Sequence, residues 1–274
     1  LVSGFFFQGI GIGICFSQFN VFMSRLQNSP LAIGLFHGSW GLGASTSPLI
    51  ATGLVEAGIK WNMFYLILLG FSIFNIANCY LAFVHWESSL TPWDPKVKKT
   101  DEIEENLSKL DGLMAEAVRT KMTCWASLFV FCYQGAEVSF GGWLTTYLRD
   151  YRMFTSTSIS YVATCYWFGI TLSRLVVTTF IHRKIGIPRA NFLLATLAIV
   201  FVLLTWLIDN LISEIVTIFI SGICIGPIYP LMISHVIQGN LLPDRIQIIS
   251  MTISSAFGYS GGAVFPFLIG LISQ

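Results

Sequence analysis

The chain has 274 residues, of which 54% are hydrophobic and only 11% charged, with a net charge of +1 and a mean hydropathy of +0.72. A water-soluble domain carries roughly 25% charged residues, so this composition excludes an ordinary soluble fold, and the near-zero net charge excludes a nucleic-acid binder. The remaining reading is an all-α integral membrane protein with several spans, its solvent the lipid bilayer. Aromatic residues at 15% and the 24 glycines suit lipid-facing surfaces and close helix contacts.

A spanning helix needs about 20 mainly apolar residues. In chain order the apolar runs are Leu1–Met23, Leu31–Val55, Trp61–Val84, Thr123–Leu148, Ser158–Phe180, Ala190–Ile208, Ile212–Ile237 and Ile246–Ser273. None alternates with period two, which predicts helices and not barrel strands. The run starting at Leu1 has no charged leader or cleavage pattern, so it reads as a span and not a signal peptide. The absence of an initiating Met leads to the expectation that the chain starts part-way through a longer protein. The cysteines, Cys15, Cys79, Cys124, Cys132, Cys165 and Cys224, all fall inside apolar runs without paired spacing. They read as small buried hydrophobes and imply neither a metal site nor a disulfide framework.

Glu87 to Lys121 is different. It contains Pro92 and Pro95, then a polar stretch with helical potential from Asp101 to Arg119, and it gathers most of the acidic residues. This predicts three parts: residues 1–86 with three spans, a soluble connector over 87–121, and residues 122–274 with five spans. Placing the connector in the cytoplasm puts Lys60, Arg149 and Arg152 outside and the rest of the 15 basic residues inside, as the positive-inside rule asks.

Several motifs carry a resemblance. Ser173-Arg174, eight residues, then Arg183-Lys184-Ile185-Gly186 resembles a cytoplasmic G-R-x8-R-K-x-G signature, with Ser173 in place of the usual Gly. Cations there also suit helix C-termini. The second run reads Gly34-Leu35-Phe36-His37-Gly38-Ser39-Trp40-Gly41-Leu42-Gly43-Ala44 followed by Ser47-Pro48, and the fourth contains Gly135-Ala136-Glu137-Val138-Ser139-Phe140-Gly141-Gly142-Trp143. Together these resemble the major facilitator superfamily, and within it the fucose permease-like branch of fucose:proton symporters, in its fungal-type form. The resemblance implies a partial twelve-helix fold, with residues 1–86 as helices four to six, 87–121 as the cytoplasmic connector and 122–274 as helices seven to eleven. It implies alternating access around a midplane site, usually in a monomer. Arg174, Arg183, Lys184, Gly186, Gly41, Gly43 and Pro48 would then belong to conformational motifs.

A charge at bilayer depth costs at least about 2.5–3.5 kcal/mol and calls for a partner or a task. Glu137 is such a charge, flanked by glycines. Its readings are a proton-coupling or sugar-binding carboxylate and a structural acid bonded to a neighbouring helix. His37 reads as a second proton-coupling candidate or as a histidine satisfied inside the protein. Gln18, Asn20, Gln134, Trp143, Tyr166, Trp167 and Tyr229 are the substrate-binding candidates: amides pair with hydroxyls, and rings give sugar C–H faces a platform. Against the resemblance, Phe16 occupies the position where proton-coupled members of the branch carry an acid on helix four. The expected partners are lipid, a small solute such as a hexose-like sugar, and protons, with no cofactor and no metal. No His-Glu-x-x-His or Gly-x-Ser-x-Gly pattern occurs, so no enzyme is expected. An uncoupled facilitator for another small organic solute and a truncated, non-transporting membrane protein are the alternatives.

Overall fold

In hydrocarbon every backbone polar group must be satisfied within the protein, and helices do this locally. The computed structural model describes residues 2–24, 29–84, 111–154, 156–238 and 241–273, and among them the ordered elements are helical throughout. They are α1 (Val2–Ser24), α2 (Ser29–Glu56), a 3-10 turn (Trp61–Met63) leading into α3 (Phe64–Phe83), α4 (residues 111–119), α5 (Lys121–Thr146) ending in a π-turn (Tyr147–Tyr151), α6 (Ser156–Leu175), α7 (Val177–Ile185), α8 (Ile187–Leu207), α9 (Leu211–Ile225), α10 (Ile228–Gln238) and α11 (Asp244–Ile272). The connector from residue 87 to 110 lies outside the described residues. Its last turns, α4, are helical as the sequence predicts, and Ala117 is fully buried in a cluster that also holds Leu242 and Ile246.

Two of the eight expected runs are not single helices. The fifth breaks at Val176 into α6 and α7, and the seventh breaks at Gly226-Pro227 into α9 and α10. Pro227 supplies no N–H for the helix ladder, which accounts for the second break. Among the described residues, four stretches are long and apolar enough to cross a membrane: Trp61–Phe83, Ile187–Leu207, Leu211–Ile233 and Arg245–Ile272. The runs in α2, α5 and α6 carry more Ser, Thr, Gly and charge because these helices build the interior. α3, by contrast, has no buried residue among the described elements and is apolar all round, as a membrane-spanning helix is. Of the cysteines, Cys15, Cys124 and Cys132 are exposed, Cys79 and Cys165 partly buried and Cys224 buried, so only the last is the buried residue that the sequence predicts.

Lipid tails are as apolar as the helices, so association depends on close packing and hydrogen bonds. α5 and α11 run parallel along a seam of small residues. Thr123 donates to Ser250 at 2.9 Å, the Ser127 and Ser254 hydroxyls lie 3.1 Å apart, and Gly261 packs directly on the Phe131 backbone. Further along, Gly135 faces the Phe265 ring and the Trp143 indole donates to the Pro266 carbonyl at 3.0 Å. α2 crosses α6 antiparallel, with Gly38 against Leu175, Gly41 against Thr171 and a Thr52–Ser160 hydroxyl contact. α6 lies against α9 through Gly169 and Gly222, each facing backbone of the other helix. Residues of α1, α2, α5, α6, α10 and α11 line one interior cleft.

Candidate functional site

The Gly226-Pro227 break builds the site. Within a continuous helix the Gly226 carbonyl would accept from the amide four residues on, but residue 230 is a proline and has no amide hydrogen to give. That vacant acceptor takes the Nε of Arg174 at 3.2 Å, while the Tyr133 hydroxyl oxygen lies 3.2 Å from the neighbouring Ile225 carbonyl. Arg174 is at the end of α6, yet its side chain turns into the protein and is 6% exposed. Its Nη2 lies 2.9 Å from both carboxylate oxygens of Glu137 on α5, whose side chain is fully buried. The Tyr133 hydroxyl donates to the same carboxylate, and the Tyr166 hydroxyl donates to the Glu137 backbone carbonyl at 3.1 Å.

Charge-assisted bonds of this kind are the strong ones, and a buried charge needs them. The two charges cancel. The other face of the guanidinium meets the Trp40 ring of α2 at 5.4 Å, a cation–π contact. Arg174 thereby touches α5, the α9–α10 break and α2 together.

The cleft is lined by Phe16, His37, Trp40, Val130, Gln134, Glu137, Arg174, Tyr229, Ser255, Gly258 and Tyr259, and holds about 510 Å³ of empty space including its open mouth. The enclosed part is about 70 Å³, short of the roughly 300–1,000 Å³ of small-molecule sites, so a hexose-sized solute would need the cleft to widen. His37 is buried there, its ring 5.5 Å from those of Phe16 and Phe36 and 6.0 Å from Tyr229. Phe16 also meets Tyr259 edge-on at 5.6 Å. The Tyr229 hydroxyl is 3.3 Å from that of Ser255. The wall is thus aromatic, with a neutralised ion pair, amide and hydroxyl groups set into it. Among the described residues, no group of His, Cys, Asp or Glu is arranged to hold a metal ion.

The structure brings Glu137, His37, Gln134 and Tyr229 to one cleft. Trp143 is elsewhere, occupied by the Pro266 carbonyl and packed on Gly270. Tyr166 is fully buried behind Glu137, and Trp167 packs edge-on to Trp40 at 5.4 Å beside the cleft lining. The side chains of Gln18, Asn20 and Arg183 lie outside the described residues. Of the motif residues, Arg174 moves from the expected helix-end role into the cleft wall, because the open Gly226 carbonyl and Glu137 attract it inward. Lys184 is exposed, and Gly186 adopts φ 80° at the turn between α7 and α8, a backbone region that favours glycine. Gly41 abuts α6, Gly43 has open space around it, and Pro48 lies inside α2. Sequence reasoning missed Trp40, Tyr133, Ser255, Gly258 and Tyr259. The signal for Tyr133 was present: it lies one helical turn before Glu137, on the same face.

Comparison with known proteins agrees with this architecture. The family described as Major Facilitator Superfamily matches residues 1–266. The chain is 30% identical over 286 aligned positions to Bypass of stop codon protein 6 of Saccharomyces cerevisiae, covering 97% of this chain and 57% of that protein. It is 23% identical over 239 positions to the Glucose/mannose transporter GlcP of Bacillus subtilis, covering 84% of this chain and 55% of that protein. The chain therefore spans a little over half the length of these curated relatives. No solved structure matches it significantly.

Proposed function

Because the chain belongs to the Major Facilitator Superfamily, whose members are integral, multi-pass membrane proteins, we propose that it forms part of a carrier moving a small, uncharged, hydroxyl-rich solute, hexose-like in size, through the central cleft by alternating access. The observation that carries this reading is the Glu137–Arg174 pair in the cleft wall, closed electrically and framed by rings. A cleft whose two charges already satisfy each other offers no net charge to an ionic solute. Its aromatic faces suit the C–H surface of a sugar, and Gln134, Ser255 and the Tyr229 hydroxyl suit its oxygens. The name of the B. subtilis relative, a glucose/mannose transporter, supports the same solute class. The fucose permease-like, fungal-type branch belongs to this proposal, as does the reading of residues 1–86 and 122–274 as parts of two bundles joined by the 87–121 connector.

Glu137 is the proposed proton-coupling residue, with His37 beside it in the cleft. The uncoupled alternative draws on Phe16, which lines the cleft with a ring where a carboxylate would serve coupling. Neither reading assigns the chain an enzymatic role. The test is uptake of labelled glucose and mannose by the full-length protein in proteoliposomes, with and without an inward proton gradient. Accumulation driven by the gradient and lost in Glu137→Gln supports coupled transport. Uptake that equilibrates regardless of the gradient supports the facilitator. No uptake of either hexose overturns the solute class.

A further inference from the structure

A second buried charge cluster lies away from the cleft, at the end of α5. The π-turn brings Tyr147 and Tyr151 into a stack, with ring centroids 5.4 Å apart, and the Arg152 guanidinium carbon is 5.5 and 5.4 Å from the two rings. Met153 then takes φ 57°, a left-handed conformation that a bulky side chain rarely adopts, although the residue is 80% exposed and packs on little. Something outside Met153 must hold that conformation.

Arg152 supplies it. Its side chain is only 5% exposed, and its Nη2 donates to the Thr205 and Trp206 carbonyls at 2.9 Å each, with the Ile208 carbonyl 3.4 Å away. These belong to the end of α8, where carbonyls run out of helical donors. Its Nη1 lies 3.1 Å from Asp209, and its Nε 2.7 Å from the fully buried carboxylate of Glu214 in the first turn of α9. Tyr147 accepts from the Arg152 Nε at 2.9 Å and donates to the Thr205 carbonyl at 3.3 Å. The hairpin itself is held by Asn210, which caps α9 through the Ile212 and Ser213 amides, and by the Thr205–Thr217 hydroxyl bond of 2.8 Å.

We propose that Arg152 is a clamp that fastens the strained α5–α6 turn to the α8–α9 hairpin, so that the ends of α5, α8 and α9 open and close as one unit. One side chain caps α8, pairs with the buried Glu214 and adjoins the strained Met153, and Tyr147 on the same turn supports it by bonding both Arg152 and the Thr205 carbonyl. The clamp is independent of the solute and of the Glu137–Arg174 pair.

Backbone hydrogen exchange of the purified full-length protein in nanodiscs tests it. In Arg152→Ala, exchange over residues 147–154 and 205–214 should accelerate together, on the order of a hundredfold, as expected when a buried charge loses its partner. Residues 160–172 of α6 should keep their protection. Acceleration of one segment alone, or of neither, overturns the proposal. Two variants with milder effects decide the matter if the alanine protein does not fold. Arg152→Lys keeps a charge for Glu214 but loses the planar fork, so 205–209 should exchange about tenfold faster. Met153→Gly removes the strain while leaving the clamp, so both segments should exchange at the native rate or more slowly. Native exchange over 205–209 in the lysine variant, or faster exchange in the glycine variant, overturns it.

Discussion

Replacing Glu137 by Gln tests the cleft wall most directly. At 2.9 Å and an effective dielectric of about 20, the gross Coulomb attraction between Glu137 and Arg174 is about 6 kcal/mol. Desolvation of two buried ions offsets most of it, and what a single substitution exposes is the uncompensated partner, at about 3–5 kcal/mol. The substituted glutamine could still accept from Arg174 through its amide oxygen, and Arg174 would keep the Gly226 carbonyl and the Trp40 face. The expected loss is therefore at the low end, about 3 kcal/mol. Arg174→Met should cost a similar amount, since it leaves the carboxylate with only the Tyr133 hydroxyl. The double variant Glu137→Gln with Arg174→Met buries no charge at all and should lose far less than the two single costs combined, with a coupling energy of about 3 kcal/mol. The assay is reversible unfolding of the purified protein in mixed micelles, read as a double-mutant cycle. Single effects that add to within about 0.5 kcal/mol would refute the argument, because they would mean that the two side chains do not share one buried contact.

Gly261→Ala should push α11 away from α5, since its added methyl would meet the Phe131 backbone, and the same assay should register a loss of about 1–3 kcal/mol. Gly43→Ala is its control: open space surrounds that position inside α2, so helix propensity should make it neutral or stabilising by up to about 1 kcal/mol. Gly186→Ala should lose about 1 kcal/mol from its positive φ alone, and a neutral result would show that the α7–α8 turn adopts another conformation in the bilayer.

The helices were legible in the sequence because hydrocarbon thickness dictates how many apolar residues a span requires. Which side of each helix faces inward was not. A soluble helix announces its buried face by polar residues on the other, but in lipid both faces are apolar and the contrast disappears. Trp143 and Tyr166 illustrate the result: both looked suited to a sugar, and both are spent on carbonyls within the protein. Glu137 could be singled out because its charge is conspicuous in any apolar run. Its partner could not, since Arg174 is 37 residues away and occupies a position where a basic residue has an ordinary explanation at a helix end. The break at Gly226-Pro227 was written in two prolines, yet the consequence of the second one depends on a neighbour from another helix.

That second proline makes substitution at residue 230 counterintuitive. Exchanging Pro230 for alanine would look like a repair, restoring a hydrogen for the Gly226 carbonyl and a continuous ladder through the break. The restored amide would compete with Arg174 for that oxygen. A straighter helix would come at the cost of a looser arginine, and the defect in one backbone is thereby a condition for the order of the cleft.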